Sequence, residues 1–224
     1  MERFVDTFFN PSVIESVWPK ILQGMLVTVE LGIAVVITGL ITGLLLALIR
    51  TAQIRLLNVL IVIFVDILRA VPPLVIVLIV YFGLPNVGLT LPSFAVLWLV
   101  LAAVLAAFAE EIFWAGIASV RRGQWDAARS TGLNFTQTLL YVILPQTVRM
   151  VLPPLVNRTI AITKNTALGT VIGVPELLNQ ATTAVSFLSN ATPLTLAAIG
   201  YLIIFVPVVL LGGWLEQRFA YRKA

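Results

Sequence analysis

The sequence contains neither cysteine nor histidine, and only 11% of its 224 residues are charged. Without cysteine there is no disulfide frame and nothing from which to read a redox compartment. The two absences together remove the usual ligands of zinc, haem and iron–sulfur centres. They also exclude a Ser–His or Cys–His pair, and the acids have no metal partner, so a membrane-embedded enzyme is the least supported class. The scarcity of charge excludes a soluble domain, whose water-facing surface would need far more of it. Hydrophobic residues make up 60% of the chain and the mean hydropathy is +1.05, which points to lipid as the surrounding medium. The formal charge of +4 does not imply a nucleic-acid partner, because basic residues in a membrane chain report topology. The first twenty residues lack a basic-then-apolar leader, so no cleaved signal peptide is expected.

What is present is a set of long apolar runs. A span needs about 20 mostly apolar residues to cross a hydrocarbon core of about 30 Å. Five segments qualify, at residues 24–49, 57–82, 93–118, 151–174 and 194–214. The expected fold is therefore an all-α polytopic membrane protein of about five transmembrane helices. Gly32, Gly39 and Gly43 in the first span, and Gly200, Gly212 and Gly213 in the last, read as close-packing positions. Basic residues fall between spans one and two (Arg50, Arg55), between three and four (Arg121, Arg122, Arg129, Arg149) and after five (Arg218, Arg222, Lys223). The opposite side has only Arg3 and Lys20, and none in 83–92 or 175–193. That asymmetry places the N-terminus outside and the C-terminus in the cytoplasm. Three regions follow: an outer interfacial segment 1–23, a transmembrane domain 24–217 and a cytoplasmic tail 218–224. In the first, Phe4, Val5, Phe8, Phe9, Val13, Ile14, Val17 and Trp18 recur every three to four residues, as an interfacial helix would.

Residues 119–150 are too patterned for a plain connector. Gly123 reads as the end of one helix, and Gln124–Thr131 as a short amphipathic helix stopped by Gly132. Asn134 is a suitable N-cap for a second helix through Val142, closed or kinked by Pro145. Two short helices about a glycine, lying along the cytoplasmic face, could transmit force from a partner that receives one of them.

The order Asp126-Ala127-Ala128, Gly132, Val142, Leu144-Pro145 resembles the EAA signature of ABC-importer permeases. Asp126 stands where Glu is usual, and Val142 where Ile is usual. More of the chain is similar to the polar amino-acid permease family. The matching residues include Gly24, Thr28, Arg69–Val75, Glu111-Ile112, Gly116-Ile117, Gly123-Gln124, Pro153-Pro154, Asn157, Lys164–Leu168 and Glu176-Leu177. The resemblance implies a type I importer built from two such permeases, identical or paralogous, two ATPase subunits and an extracytoplasmic amino-acid-binding protein, in a bacterial inner membrane. It implies no cofactor in this chain, with ATP and Mg on the partner ATPase. Consistently, the sequence has no Gly-x-x-x-x-Gly-Lys-Ser/Thr loop. Gly123, Gln124, Asp126, Ala127, Ala128, Gly132, Leu144 and Pro145 become the expected coupling residues.

Charges inside spans mark the expected substrate route. Asp66 and Arg69 lie three apart on one helical face and can pair, with Pro72-Pro73 opening the backbone behind them. Glu111, Lys164, Asn165 and Thr166, with Asp66 and Arg69, are the pathway candidates, since a zwitterion needs both signs. Interhelical ion pairing is the competing reading for Asp66, Arg69 and Arg158. Relative to many family members, Trp114 replaces Arg, Asn165 replaces Asp, Ala167 replaces Ser, and Glu110 replaces a small residue. The particular amino acid is thus left open, as is the possibility that a partner permease holds the pocket. Two other readings stand beside this one: an osmoprotectant importer, whose quaternary ammonium ligand favours an aromatic cage where the spans offer few clustered rings beyond Phe108, Phe113 and Trp114, and an ion-coupled secondary transporter, whose usual internal repeat the sequence does not show.

Overall fold

The computed structural model describes residues 2–219. Its helices are α1 (Glu2–Phe8), α2 (Pro11–Thr51), α3 (Arg55–Ala70), α4 (Pro73–Gly83), α5 (Ser93–Ser119), α6 (Arg122–Ser130), α7 (Phe135–Thr138), α8 (Leu144–Lys164), α9 (Leu177–Leu188) and α10 (Thr192–Phe219). No strand occurs among the described residues. Among the described residues four helical runs are long and apolar enough to cross a membrane, and the bent pair α3–α4 makes a fifth where it is taken as one broken span. Each of the five expected spans has a counterpart. Arg222 and Lys223 lie outside the described residues.

The centre of the bundle is α5, because its sequence lets neighbours come close. Ala102, Ala106, Ala107 and Ala109 are buried along it, with Leu97, Leu101, Val104 and Leu105 filling the spaces between. Helix α2 meets it at the Gly39-x-x-x-Gly43 step, where a Cβ on Gly43 would stand 2.6 Å from the Ala109 Cβ and 2.8 Å from the Ala106 carbonyl oxygen. Helix α8 crosses at Gly116, against Val151 and Thr147. Gly200 and Gly212 of α10 pack in the same way on Leu177 and Val156. Gly32 and Gly213 do not: one has only Thr163 at 4.0 Å and the other meets nothing. Trp98 adds a polar link, donating its ring N–H to the Thr38 hydroxyl at 3.1 Å.

Three boundaries differ from expectation. The second span is not one rod, because α3 and α4 meet at 105°. Two consecutive prolines lack N–H groups and force the preceding residue out of helix, and Val71 sits at φ −93, ψ 132. The fourth span starts earlier than residue 151. A π turn at Leu139–Ile143 carries α7 into α8, Pro145 occupies the first turn of α8, and Pro153 and Pro154 lie inside it. Finally, residue 23 is no break. Helix α2 runs unbroken from Pro11, and its Val17 and Ile21 pack on Leu177, Ala181 and Ala197 of α9 and α10. Asn10 caps it, accepting from the backbone N–H groups of Ser12 and Val13.

The segment 175–193 is mostly helix as well. Gly173 (φ 74) turns the chain, and Glu176 then caps α9 while fully buried. Its carboxylate accepts from the N–H groups of Leu178 and Asn179 and from the hydroxyls of Thr170 and Tyr201, at 2.6–2.9 Å. Thr28 accepts the Leu177 N–H, and the bare Gly24 lets α2 lie against this turn.

Candidate functional site

Two regions carry the polar chemistry: the α6–α7 element at one end, and a charged wall along α3 and α5. At the first, α5 ends where Val120 and Arg121 turn extended, so Gly123 opens α6 and does not close α5. Val120 is drawn in with Ile117, Leu139 and Ile143 to form the apolar seat of the element. Gly132 terminates α6 with φ +89, a conformation that strains any other residue. Asn134 and Gln137 form a capping box for α7. The Trp125 and Phe135 rings stack at 5.5 Å and fasten the two helices together. At the expected kink, the Leu144 N–H bonds the Leu139 carbonyl five residues back. The wide turn admits Pro145 without ending the helix. Gln146 bonds the Val142 carbonyl at 2.8 Å and Gln124 at 3.4 Å, tying α6 to α8.

Of the expected coupling residues, Ala128 is buried and Leu144 is half-buried against the seat. Gly123, Gln124, Asp126, Ala127, Gly132 and Pro145 are exposed. A short rigid helix therefore rests on an apolar pad with its other face bare. The bare face can dock a partner and pass its displacement to α5 and α8.

In the charged wall, the pairing differs from that expected within α3. Arg69 reaches across to Glu111 of α5 at 2.6 Å, and Asp66 stays exposed with no ion pair among the described residues. The i, i+3 spacing allowed a local pair, but α5 offers a carboxylate at closer reach. Below it, Arg50 folds back from the end of α2 onto Glu110 at 3.0 Å and lies 4.5 Å from the Trp114 ring centre. Glu110 is fully buried, and the Arg50 side chain is 20% exposed. These groups line a cavity of about 340 Å³ with Asp66. Arg158 of α8 lies 3.9 Å from the Phe108 ring centre, and Arg69 lies 5.4 Å from the same ring.

Lys164, Asn165 and Thr166 sit elsewhere. Phe108 is level with Arg158, so Glu111 and Lys164 are separated by about 13 Å along the bundle at about 1.5 Å per residue. Lys164 is exposed and lines an apolar groove of about 430 Å³ with Ala198, Tyr201, Leu202 and Phe205. Asn165 caps the end of α8, and Thr166 is fully buried with its hydroxyl on the Thr163 carbonyl at 2.9 Å. Sequence reasoning missed Arg50, counted only as a loop charge, and the Phe108 platform. The available signal was spacing on α5. Glu110 and Trp114 share one face at i, i+4, and Phe108 and Glu111 another at i, i+3.

An all-α bundle of long apolar helices, with a seated helix–glycine–helix element and a charged wall, has the make-up of a multi-pass membrane protein. Comparison with known proteins agrees. The family model "Binding-protein-dependent transport system inner membrane component" matches residues 36–221, and the chain belongs to that family. The chain is 36% identical over 159 residues to the probable glutamine ABC transporter permease protein GlnP of Bacillus subtilis, covering 71% of this chain and 73% of that one. It is 35% identical over 221 residues to the glutamate transport system permease protein GluC of Corynebacterium glutamicum, covering 92% and 96%. A crystal structure of an amino acid ABC transporter with histidines superposes with a TM-score of 0.82 at 30% identity, over 92% of this chain and 96% of that one. The MetNI methionine transporter, at 18% identity and a TM-score of 0.68 over 93% and 96%, shares the fold. The protein is thus a multi-pass inner-membrane permease subunit and not an enzyme.

Proposed function

We propose that this permease forms half of the translocation pathway of an ATP-driven amino-acid importer. Support for the substrate class comes from relatives named for glutamine, glutamate, arginine and cystine. In this reading a second permease, identical or paralogous, completes the pathway. Two ATPase subunits carrying ATP and Mg dock at α6, and an extracytoplasmic binding protein delivers substrate to the α9 end. The α6 end faces the cytoplasm, in keeping with its basic residues Arg121, Arg122 and Arg129. The observation that carries the coupling role is α6 itself, bare on one face and fastened on the other by Trp125, Phe135 and the Ile117–Ile143 seat.

The pathway wall in this reading is Asp66, Arg69 and Glu111. Lys164 and Asn165 flank it nearer the α9 end, with Thr166 as their support. The aromatic rings argue against a quaternary-ammonium substrate here. Phe108 and Trp114 already carry the chain's own guanidinium groups, and Phe113 is buried. The test is the complete transporter in vesicles, with Asp126→Arg and Gly132→Pro. Proline cannot adopt the +89° φ at Gly132, so the α6–α7 angle must change. Both variants should hydrolyse ATP without accumulating amino acid. Coupled uptake at the wild-type rate in both would refute the assignment.

A further inference from the structure

We propose that Arg158, laid on the Phe108 ring, is a carboxylate-binding residue of the pathway. The proposal rests on the amino-acid reading above. Among the described residues two ion pairs form, Arg50–Glu110 and Arg69–Glu111, and neither involves Arg158. Arg158 is half-buried, and its guanidinium carbon lies 3.9 Å from the Phe108 ring centre. Phe108 sits near the middle of α5, and Arg158 near the middle of the run Phe135–Leu188. From Arg158 back to the start of α8 is about 21 Å at about 1.5 Å per residue, so the side chain cannot reach that end of the bundle. An arginine this far from the α6 end, with no ion pair among the described residues, asks for a polar cavity or a partner anion.

The geometry favours a small carboxylate. Stacking on a ring face fixes the guanidinium plane and leaves its edge N–H groups free to grip two oxygens at once. Arg69 borders the same ring at 5.4 Å, but Glu111 already neutralises it at 2.6 Å. Among the described residues, no carboxylate pairs with the Arg158 guanidinium at this ring. Asp66, exposed and without an ion pair among the described residues, one turn before Arg69, offers the opposite sign for the ammonium of the same molecule. The carboxylate could be the one common to all amino acids or one in the side chain.

Equilibrium binding to the purified transporter, carrying its co-purified ATPase, separates these sources. The wild-type complex is screened against the twenty common amino acids. The best-bound one is then compared with its decarboxylated amine and, where it has a second carboxylate, with its side-chain amide. Arg158→Gln should weaken binding about ten- to a hundredfold, the range of a lost charged hydrogen bond, with Arg158→Lys in between. If the α-carboxylate is the ligand, the decarboxylated amine will bind wild type and Arg158→Gln alike. If the side-chain carboxylate is the ligand, the amide will be the indifferent one. Phe108→Leu, which removes the platform and keeps the charge, should weaken binding severalfold. Unchanged affinity in Arg158→Gln, whether or not its melting temperature falls, overturns the proposal and leaves a structural role such as an ion pair to the second permease. A wild-type complex that binds none of the amino acids overturns the amino-acid reading itself.

Discussion

The pair Arg50–Glu110 offers the most quantitative test of the fold. Glu110 is wholly buried on α5, the Arg50 side chain is 20% exposed, and one guanidinium nitrogen reaches both carboxylate oxygens at 3.0 and 3.3 Å. Replacing Arg50 with Met keeps the aliphatic stem but strands a carboxylate in the bundle. Breaking a buried pair in this way costs about 3–5 kcal/mol. The stacking on Trp114 adds about 0.5–2 kcal/mol to what Arg50→Met removes. The double replacement Arg50→Met/Glu110→Met removes both charges and refills the volume, so it should lie within about 2 kcal/mol of wild type. The prediction is therefore strongly non-additive: the double variant is more stable than Arg50→Met alone. Thermal unfolding of the purified transporter in lipid-detergent micelles reads this directly. Arg50→Met should melt on the order of 10 °C lower, and the double variant should recover most of that. Single and double losses that simply add, or an Arg50→Met melting point equal to wild type, would show that the pair does not hold α2 to α5.

Two further outcomes follow from close contacts. Gly43→Ala should destabilise by about 1–3 kcal/mol, since its Cβ would lie 2.6 Å from that of Ala109, whereas Gly213→Ala, which meets nothing, should be neutral or gain about 0.5–1 kcal/mol; the same melting assay compares them. Glu176→Ala should cost at least about 4 kcal/mol, because four donors lose a buried acceptor at about 1–3 kcal/mol each, and hydrogen exchange at the start of α9 should rise well above that in α5.

Much of this molecule was legible in its sequence. The spans follow from composition over windows of about 20 residues, a local property that lipid imposes whatever the packing. The α6 stop at Gly132 and the Asn134 cap were equally readable, because φ > 0 and an unsatisfied N–H are demands met within a few residues. The 105° corner at Val71–Pro73 was half visible: two prolines announce a break, and nothing local sets its angle. Gly123 was misread as a helix end, and Pro145 was left between a close and a kink, since the burial of Val120 and the π turn at Leu139–Ile143 are set by residues beyond those two.

What the chain order alone determined, then, is an all-helical membrane permease with a patterned loop between its third and fourth spans and a family that spacing could identify. Only the tertiary structure decided how its charges are spent. Arg69 pairs with Glu111 and not with Asp66, Arg50 leaves its loop for Glu110, and Arg158 keeps its charge on Phe108. The reason is physical: an intramembrane charge takes whichever partner the packing of α2, α3, α5 and α8 brings within a few ångströms. That packing turns on Gly39, Gly43 and Gly116, tens of residues away from several of the charges they bring together.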